Sequence, residues 1–239
     1  MFLKAFLDLL FPPLCHSCRV FIPEAGELHL CGPCRAGSRP ITSPMCTLCG
    51  IPFLTDDGID HRCGACLGQP PAYTAARGAV VFEGPVRELV HRFKYSNKVQ
   101  HSRPLALLAA EHLAGFGAEC AADMIMPVPL HALKLRQRGF NQAVLLGEIL
   151  AKKWRLPLCR RNLQRARWTE PQVNLSAAER RRNVQGAFAL SDAAAVNGSR
   201  IILVDDVFTT GSTVAECARV LKKGGAAAVF VVTVTRAVA

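Results

Sequence analysis

The 239-residue chain has no run approaching the roughly 18 uninterrupted apolar residues that a membrane-spanning helix needs. It also lacks a small-residue cleavage site behind its apolar start. Met1 to Leu14 carries Phe2, Leu3, Phe6, Leu7, Leu9, Leu10 and Phe11 with only Lys4 and Asp8 charged, yet Pro12, Pro13 and a Cys-x-x-Cys follow at once. That argues against a secretory signal and for a short amphipathic helix packed on the domain behind it, with a membrane-surface anchor as the alternative. Neither G-x-x-x-x-G-K-[ST] nor G-x-G-x-x-G occurs, which tells against P-loop and dinucleotide sites. With half the residues apolar and only 18 glycines, fibrous and wholly disordered classes are excluded as well.

Acidic residues are the other shortage: 18 Asp and Glu face 29 Lys and Arg, a net charge of +11. The imbalance is local. Between Lys134 and Arg182 stand 13 Lys or Arg against Glu148, Glu170 and Glu179, so this fifth of the chain carries +10 of the excess. A stretch that one-sided suits phosphates. Its aromatic residues are only Phe140, Trp154 and Trp168, so a nucleic acid held there is gripped by charge more than by base stacking.

Cysteine, by contrast, is plentiful in one place. Eight of the 11 form four Cys-x-x-Cys pairs, Cys15/Cys18, Cys31/Cys34, Cys46/Cys49 and Cys63/Cys66, separated by 12 residues between the first two pairs and 13 between the last two. A two-residue gap lets two thiolates grip one tetrahedral ion from a tight turn, and two pairs complete a four-cysteine site. Two structural zinc ions are expected. Four disulfides are the alternative, but Cys120, Cys159 and Cys217 leave an odd remainder that favours zinc and a reducing cytosol. Sequential pairing closes the shorter loops and is preferred; an alternating arrangement remains open.

Residues 1–72 are rich in Cys, Pro and Gly and hold few periodic apolar runs, so they depend on metal for order. Gln69-Pro70-Pro71 reads as a linker to a second domain, residues 73–239. There, strands are expected at Ala79–Phe82, Met124–Pro129, Leu156–Cys159, Arg200–Asp205 and Ala227–Thr235. Helices are expected at Pro85–Tyr95, Pro104–Leu113, Phe140–Trp154, Ser176–Val184 and Thr213–Lys223. The alternation predicts an α/β fold, a parallel sheet flanked by helices, behind a small zinc-ribbon module.

The sharpest segment is Ile201-Ile202-Leu203-Val204-Asp205-Asp206-Val207-Phe208-Thr209-Thr210-Gly211-Ser212-Thr213. Its apolar β-formers deliver the chain to the carboxyl end of a parallel strand, where open α/β sheets bind ligands. Free amides at a helix N-terminus and several hydroxyls then suit one phosphate monoester. Asp205 and Asp206 would repel that phosphate. They suit vicinal ribose hydroxyls or a magnesium ion, so together the segment describes a 5-phosphorylated ribose.

This segment resembles the phosphoribosyl pyrophosphate (PRPP) motif of type I phosphoribosyltransferases. With Lys94-Tyr95, Pro127-Val128-Pro129-Leu130-His131, Arg138-Gly139-Phe140-Asn141-Gln142, Thr169-x-x-Gln172-x-x-Leu175-Ser176, Glu179-Arg180-Arg181-Arg182-Asn183 and Ala187-Phe188, the chain resembles the ComF family over almost its whole length. Departures are Phe208 for Tyr, Asn174 for Gly, and Ser96 where a basic residue often follows Lys-Tyr; the last weakens Lys94 as an anion clamp.

The resemblance implies a type I phosphoribosyltransferase-like domain binding PRPP with magnesium. Asp205 and Asp206 would be the catalytic pair on the ribose hydroxyls, with Thr209, Thr210, Gly211, Ser212 and Thr213 on the 5-phosphate. His131, Lys134, Arg136, Arg138, Arg165 and Arg167 would serve pyrophosphate or a closing lid, and Arg180, Arg181 and Arg182 would contact nucleic acid or belong to that lid. The implied role is handling of single-stranded DNA in uptake and natural transformation, with competence proteins as partners, in the cytoplasm. An active transferase with a nucleobase or nucleotide-related acceptor is the alternative, and a PRPP or nucleotide sensor a third reading.

Overall fold

The computed structural model describes residues 11–23, 26–55, 58–95, 98–169 and 176–238. The expected N-terminal helix lies almost wholly outside them, as do Ser96, Gln172, Asn174 and Leu175.

Four parallel strands make the main sheet: β1 (Ala75–Val81), β2 (Met124–Pro127), β5 (Arg200–Phe208) and β6 (Ala228–Arg236), in the order β1-β6-β5-β2. Strand alternation divides the core between two faces. Ile202, Val204, Phe230 and Val232 point to one and Ile201, Leu203, Val229 and Val231 to the other, nearly all fully buried. The first face is covered by α3 (Gly84–Tyr95), α4 (Ser102–His112) and α7 (Gln142–Trp154). The second takes α9 (Ser212–Lys223) and a small antiparallel hairpin of β3 (Leu163–Arg165) and β4 (Phe188–Leu190). Between β3 and β4 lies α8 (Ala177–Val184), started by a capping box in which Ser176 and Glu179 satisfy each other's backbone amides.

Two sequence expectations need correction. Leu156–Cys159 makes no strand, only a single parallel bridge between Leu158 and Ile125, because Pro157 has no amide to donate and the chain leaves at once. β5 continues past Asp205 to Phe208, so both aspartates sit on the strand itself. A short helix, α6 (Ala132–Arg138), was not foreseen. Its caps, His131 and a left-handed Gly139, define it, since Leu133 and Leu135 stay exposed and no buried stripe marks it.

The cysteine-rich segment contributes two single-turn helices, α1 (Gly32–Ala36) and α2 (Gly64–Gly68); with α5 (Ala114–Glu119) they complete the named helices. It also seals the sheet. Residues 39–41 pair antiparallel with β1, Val81 N donating to Arg39 O (2.9 Å) and Ile41 N to Ala79 O (3.1 Å), while Ala76 N donates to Leu48 O (2.7 Å). An edge strand that would otherwise invite pairing with another chain is thus closed from within.

Candidate functional site

At the carboxyl end of the sheet lies a cavity of about 530 Å³. Asp205, Asp206 and Thr209–Thr213 line it, with Phe82, Arg87, His91, Lys94 and Tyr95 on one wall and Lys134, Arg138, Arg165 and Arg180 on others. The loop is built for close backbone approach. Gly211 has φ +74°, and a Cβ there would fall 2.4 Å from the Phe208 ring, so only glycine fits between that ring and the start of α9. Thr210 and Ser212 share a hydroxyl hydrogen bond of 2.8 Å beside it.

The aspartates are not equivalent. As neighbours on a strand they face opposite sides of the sheet. Asp206 is buried and paired with Lys94 Nζ at 2.9 Å. Asp205 Oδ1 accepts from the Asp206 amide (2.9 Å). Burial and the adjacent Asp206 push its carboxyl up to about 7, against the pull of Lys94, that amide and Arg165. Burial works against the Lys94 ammonium, but Asp206 and Asp205 outweigh it and hold its pKa above the ordinary value. Lys134 is shifted the other way, first by burial and then by Arg138, Arg165 and Lys94. Cations gathered around one cavity beside a hydroxyl-rich loop suit an anionic ligand.

The expected site residues therefore separate. Asp205, Asp206, the whole loop from Thr209 to Thr213, Lys134, Arg138 and Arg165 come together, and Arg180 joins them. His131 instead caps α6, its ring edge-on to Trp168, and Arg136 is exposed outside the lining. Arg167 donates to the carbonyls of Asn183 (2.9 Å) and Gln185 (2.8 Å), fastening the end of α8 to β3's strand exit. Arg181 and Arg182 are exposed and do not line the cavity. Lys94, whose role as an anion clamp the sequence weakens because of Ser96, is the direct partner of Asp206. Tyr95, His91 and Asn141 also line the cavity; Asn141 caps α7 while donating to Val128 O (3.0 Å), fixing the helix to the end of β2.

The eight cysteines gather as Cys15, Cys18, Cys31, Cys34 and as Cys46, Cys49, Cys63, Cys66, with the sulfurs of each set within 4.8 Å of one another. This is the sequential arrangement. Backbone amides aim at the sulfurs, Cys31 N at Cys15 (3.4 Å), and Cys49 N (3.4 Å) and Cys63 N (3.3 Å) at Cys46. Burial raises Cys34, Cys49 and Cys66, but at Cys15 and Cys46 backbone amides outweigh it and bring those two thiols down to about 6. Such donors favour thiolates, so both clusters fit structural zinc.

Residues 6–67 match the double zinc ribbon domain family, and residues 141–238 the phosphoribosyl transferase domain family. The DNA utilization protein YhgH of Escherichia coli K12 is 34% identical over 226 residues, covering 93% of this chain and 96% of that protein. Competence protein F of Haemophilus influenzae is 34% identical over 224 residues, with 88% and 91% covered, and competence protein ComFC of Bacillus subtilis 28% identical over 224 residues, with 87% and 84% covered. Two four-cysteine clusters on a parallel α/β sheet, in one continuous match of this extent, place the chain in the ComF family, a double zinc ribbon joined to a phosphoribosyltransferase domain.

Proposed function

We propose that the protein binds PRPP with magnesium in the cavity at the end of β5 and holds single-stranded DNA on its basic surface, in the handling of incoming DNA. The observation that carries the first part is the meeting of the Thr209–Thr213 loop, the acidic pair and six cations in one cavity. The loop's amides and hydroxyls take the 5-phosphate, and Lys134, Arg138, Arg165 and Arg180 neutralise the pyrophosphate. Lys94 already compensates Asp206, so Asp205 is the carboxylate whose charge the ribose hydroxyls or magnesium take up. Magnesium held there would need Asp205 ionised, so binding is stronger above pH 7 than below it.

The DNA part is supported by the relatives' names, which speak of DNA utilization and competence, and by the exposed Arg136, Lys152, Arg155, Arg161, Arg181 and Arg182. Calorimetry with PRPP and magnesium tests the site. Asp205→Asn with Asp206→Asn removes both charges at constant shape, and affinity falls at least about tenfold, roughly 1.4 kcal/mol. Unchanged affinity would place PRPP elsewhere or nowhere. A transferase reading draws on the α3 wall, where the exposed Tyr95 and His91 rings stand 4.9 Å apart beside the cavity, a surface an acceptor base could stack on. Pyrophosphate release on adding any common base would favour it.

A further inference from the structure

Arg236, the last residue of β6, is buried in a place that ordinarily costs too much for a guanidinium. Among the described residues no carboxylate pairs with it. Its Nη1 donates to the carbonyl of Cys49 (2.6 Å) and its Nη2 to the Cys49 sulfur (3.4 Å). Four thiolates around a divalent zinc leave a net negative charge, and that is the counter-charge within reach.

The other face of the guanidinium lies on the Phe208 ring, 4.2 Å from its centroid. Phe208 and Arg236 are also register partners across β5 and β6, and Ala237 N donates to Phe208 O (2.9 Å). Phe208 in turn is the ring that leaves no room for a Cβ at Gly211. The space for Arg236 is itself secured by a glycine, since a Cβ on Gly78 would fall 2.8 Å from the Arg236 Cβ. One unbroken set of contacts therefore runs from the second four-cysteine cluster through Arg236 and Phe208 to the loop at Thr209–Thr213. The first cluster meets the core through apolar contacts of Cys15 and Cys34, and among the described residues no cation links its sulfurs to the loop; Arg92 pairs with Glu88 and donates to the carbonyls of His16 and Ser17.

We propose that Arg236 is a positioning residue for both ends of this chain of contacts, so that zinc at the second cluster and a sugar phosphate at Thr209–Thr213 stabilise each other while the first zinc is indifferent. With zinc bound, the thiolate charge fixes the guanidinium, which fixes the ring beneath Gly211. When that charge is lost, the guanidinium has no partner for its buried charge and the ring loses its support. The proposal rests on the reading of Thr209–Thr213 as a phosphate site. Coupling of this kind is reciprocal, so ligand must also slow loss of that zinc.

The test uses the zinc-loaded full chain, a metallochromic chelator to follow zinc release, and ribose 5-phosphate without magnesium as the probe. Release has two phases, of which the second cluster's is identified by its absence in Cys46→Ser. In the wild-type protein, saturating ribose 5-phosphate slows that phase about fivefold or more and leaves the other alone. Arg236→Met speeds the same phase about tenfold and weakens the probe, while Arg236→Lys, which keeps the charge, restores part of both. Binding of ribose 5-phosphate with no change in either release phase overturns the coupling and leaves the phosphate site standing. Equal acceleration of both phases in Arg236→Met overturns it as well, showing a general loss of stability. No binding by the wild-type protein overturns both readings. If Arg236→Met does not fold, the ligand effect on wild-type release decides alone.

Discussion

The two four-cysteine clusters have the same ligands and nearly the same spacing, yet they sit in the protein differently. The first packs Cys15, Leu30 and Cys34 into the core on the α3 and α4 face, with Cys18 exposed and the rings of His16, His29 and His101 beside it, and rim ion pairs such as Glu27 with Arg103 and Lys153 add to that contact. The second packs into the core on the opposite face, where Cys46, Cys49 and Cys66 lie with Tyr73, Ala76 and Phe208. Arg77 and Arg236 both reach into it from the strands, Arg77 donating to Thr47 O (3.1 Å). Both metal sites share the core, and only the second reaches, through Arg236 and Phe208, the loop at Thr209–Thr213.

The largest expected effect breaks that comparison directly. Structural zinc supplies about 10 kcal/mol or more of folding free energy in small metal modules, far above what exposed ion pairs return. Cys31→Ser should therefore disorder the first ribbon and loosen the core on the α3 face, while leaving Phe208 and the loop beside it in place. Cys46→Ser should also uncover the β1 edge and the floor under Phe208, lowering the melting temperature of the α/β domain itself. Limited proteolysis with mass mapping separates the two outcomes, and equal sparing of the Thr209–Thr213 loop by both variants would make the clusters equivalent after all.

Next in size is the Lys94–Asp206 pair. Removing one partner of a buried pair costs about 3–5 kcal/mol, because the other charge is left without compensation. Lys94→Met should destabilise more than Asp206→Asn, which leaves a neutral group that still accepts hydrogen bonds. Urea midpoints at pH 7.5 check this, and little or no loss in Lys94→Met would mean that Lys94 is solvated rather than paired.

The pH dependence sharpens the contrast, since the two regions carry opposite signs. Asp205 is held up at about 7 against an ordinary carboxyl value of about 4, so between those values the folded state binds more protons than the unfolded one. Its contribution is present in acid and is lost as pH rises through 7. His101, fully buried with neither ring nitrogen partnered, is pushed down to about 4, by burial first and then by His16 and nearby cations. Its contribution is present above about pH 6.5 and lost as pH falls toward 4. The two offset each other in the wild-type protein. Asp205→Asn should steepen the rise of melting temperature from pH 4 to 7, and His101→Leu should flatten it; the same change in both would contradict the assigned shifts.

Why the second cluster's attachment escaped the sequence is physical. Cysteine spacing and the Asp-Asp-x-x-Thr-Thr-Gly-Ser-Thr run are local patterns and both are legible, whereas the pairing of the cysteines stays open in the sequence and is decided by the fold in favour of the sequential sets. The parallel sheet followed from strand and helix alternation in the same way. Arg236 reads only as a polar residue ending a strand, and its partner Cys49 is 187 positions away. Lys94 depends on α3 packing across the end of β5, which no local period encodes. The β3–β4 hairpin is three residues on each side, too short for a periodic signal, and α6 has no buried stripe. Local chemistry shows which residues can do work; tertiary packing decides which of them meet.

The smallest expected effect concerns the basic segment, which the fold divides rather than presents as one belt. Lys134, Arg138, Arg165 and Arg180 line the cavity, and Arg160 pairs with Glu148, so only part of the charge faces outward. On α8 the division falls between neighbours: Arg180 at the cavity, Arg181 and Arg182 exposed. If a single strand tracks the outer surface, each neutralised phosphate adds about −0.7 to the slope of log affinity against log salt. Arg181→Ala with Arg182→Ala should then flatten the slope by up to about 1.4 and leave PRPP affinity unchanged. Arg180→Ala should do the reverse, weakening PRPP with little change in slope. Titrations at three salt concentrations distinguish them, and a slope that moves with Arg180 but not with its two neighbours would put the DNA in the cavity rather than on the outer face.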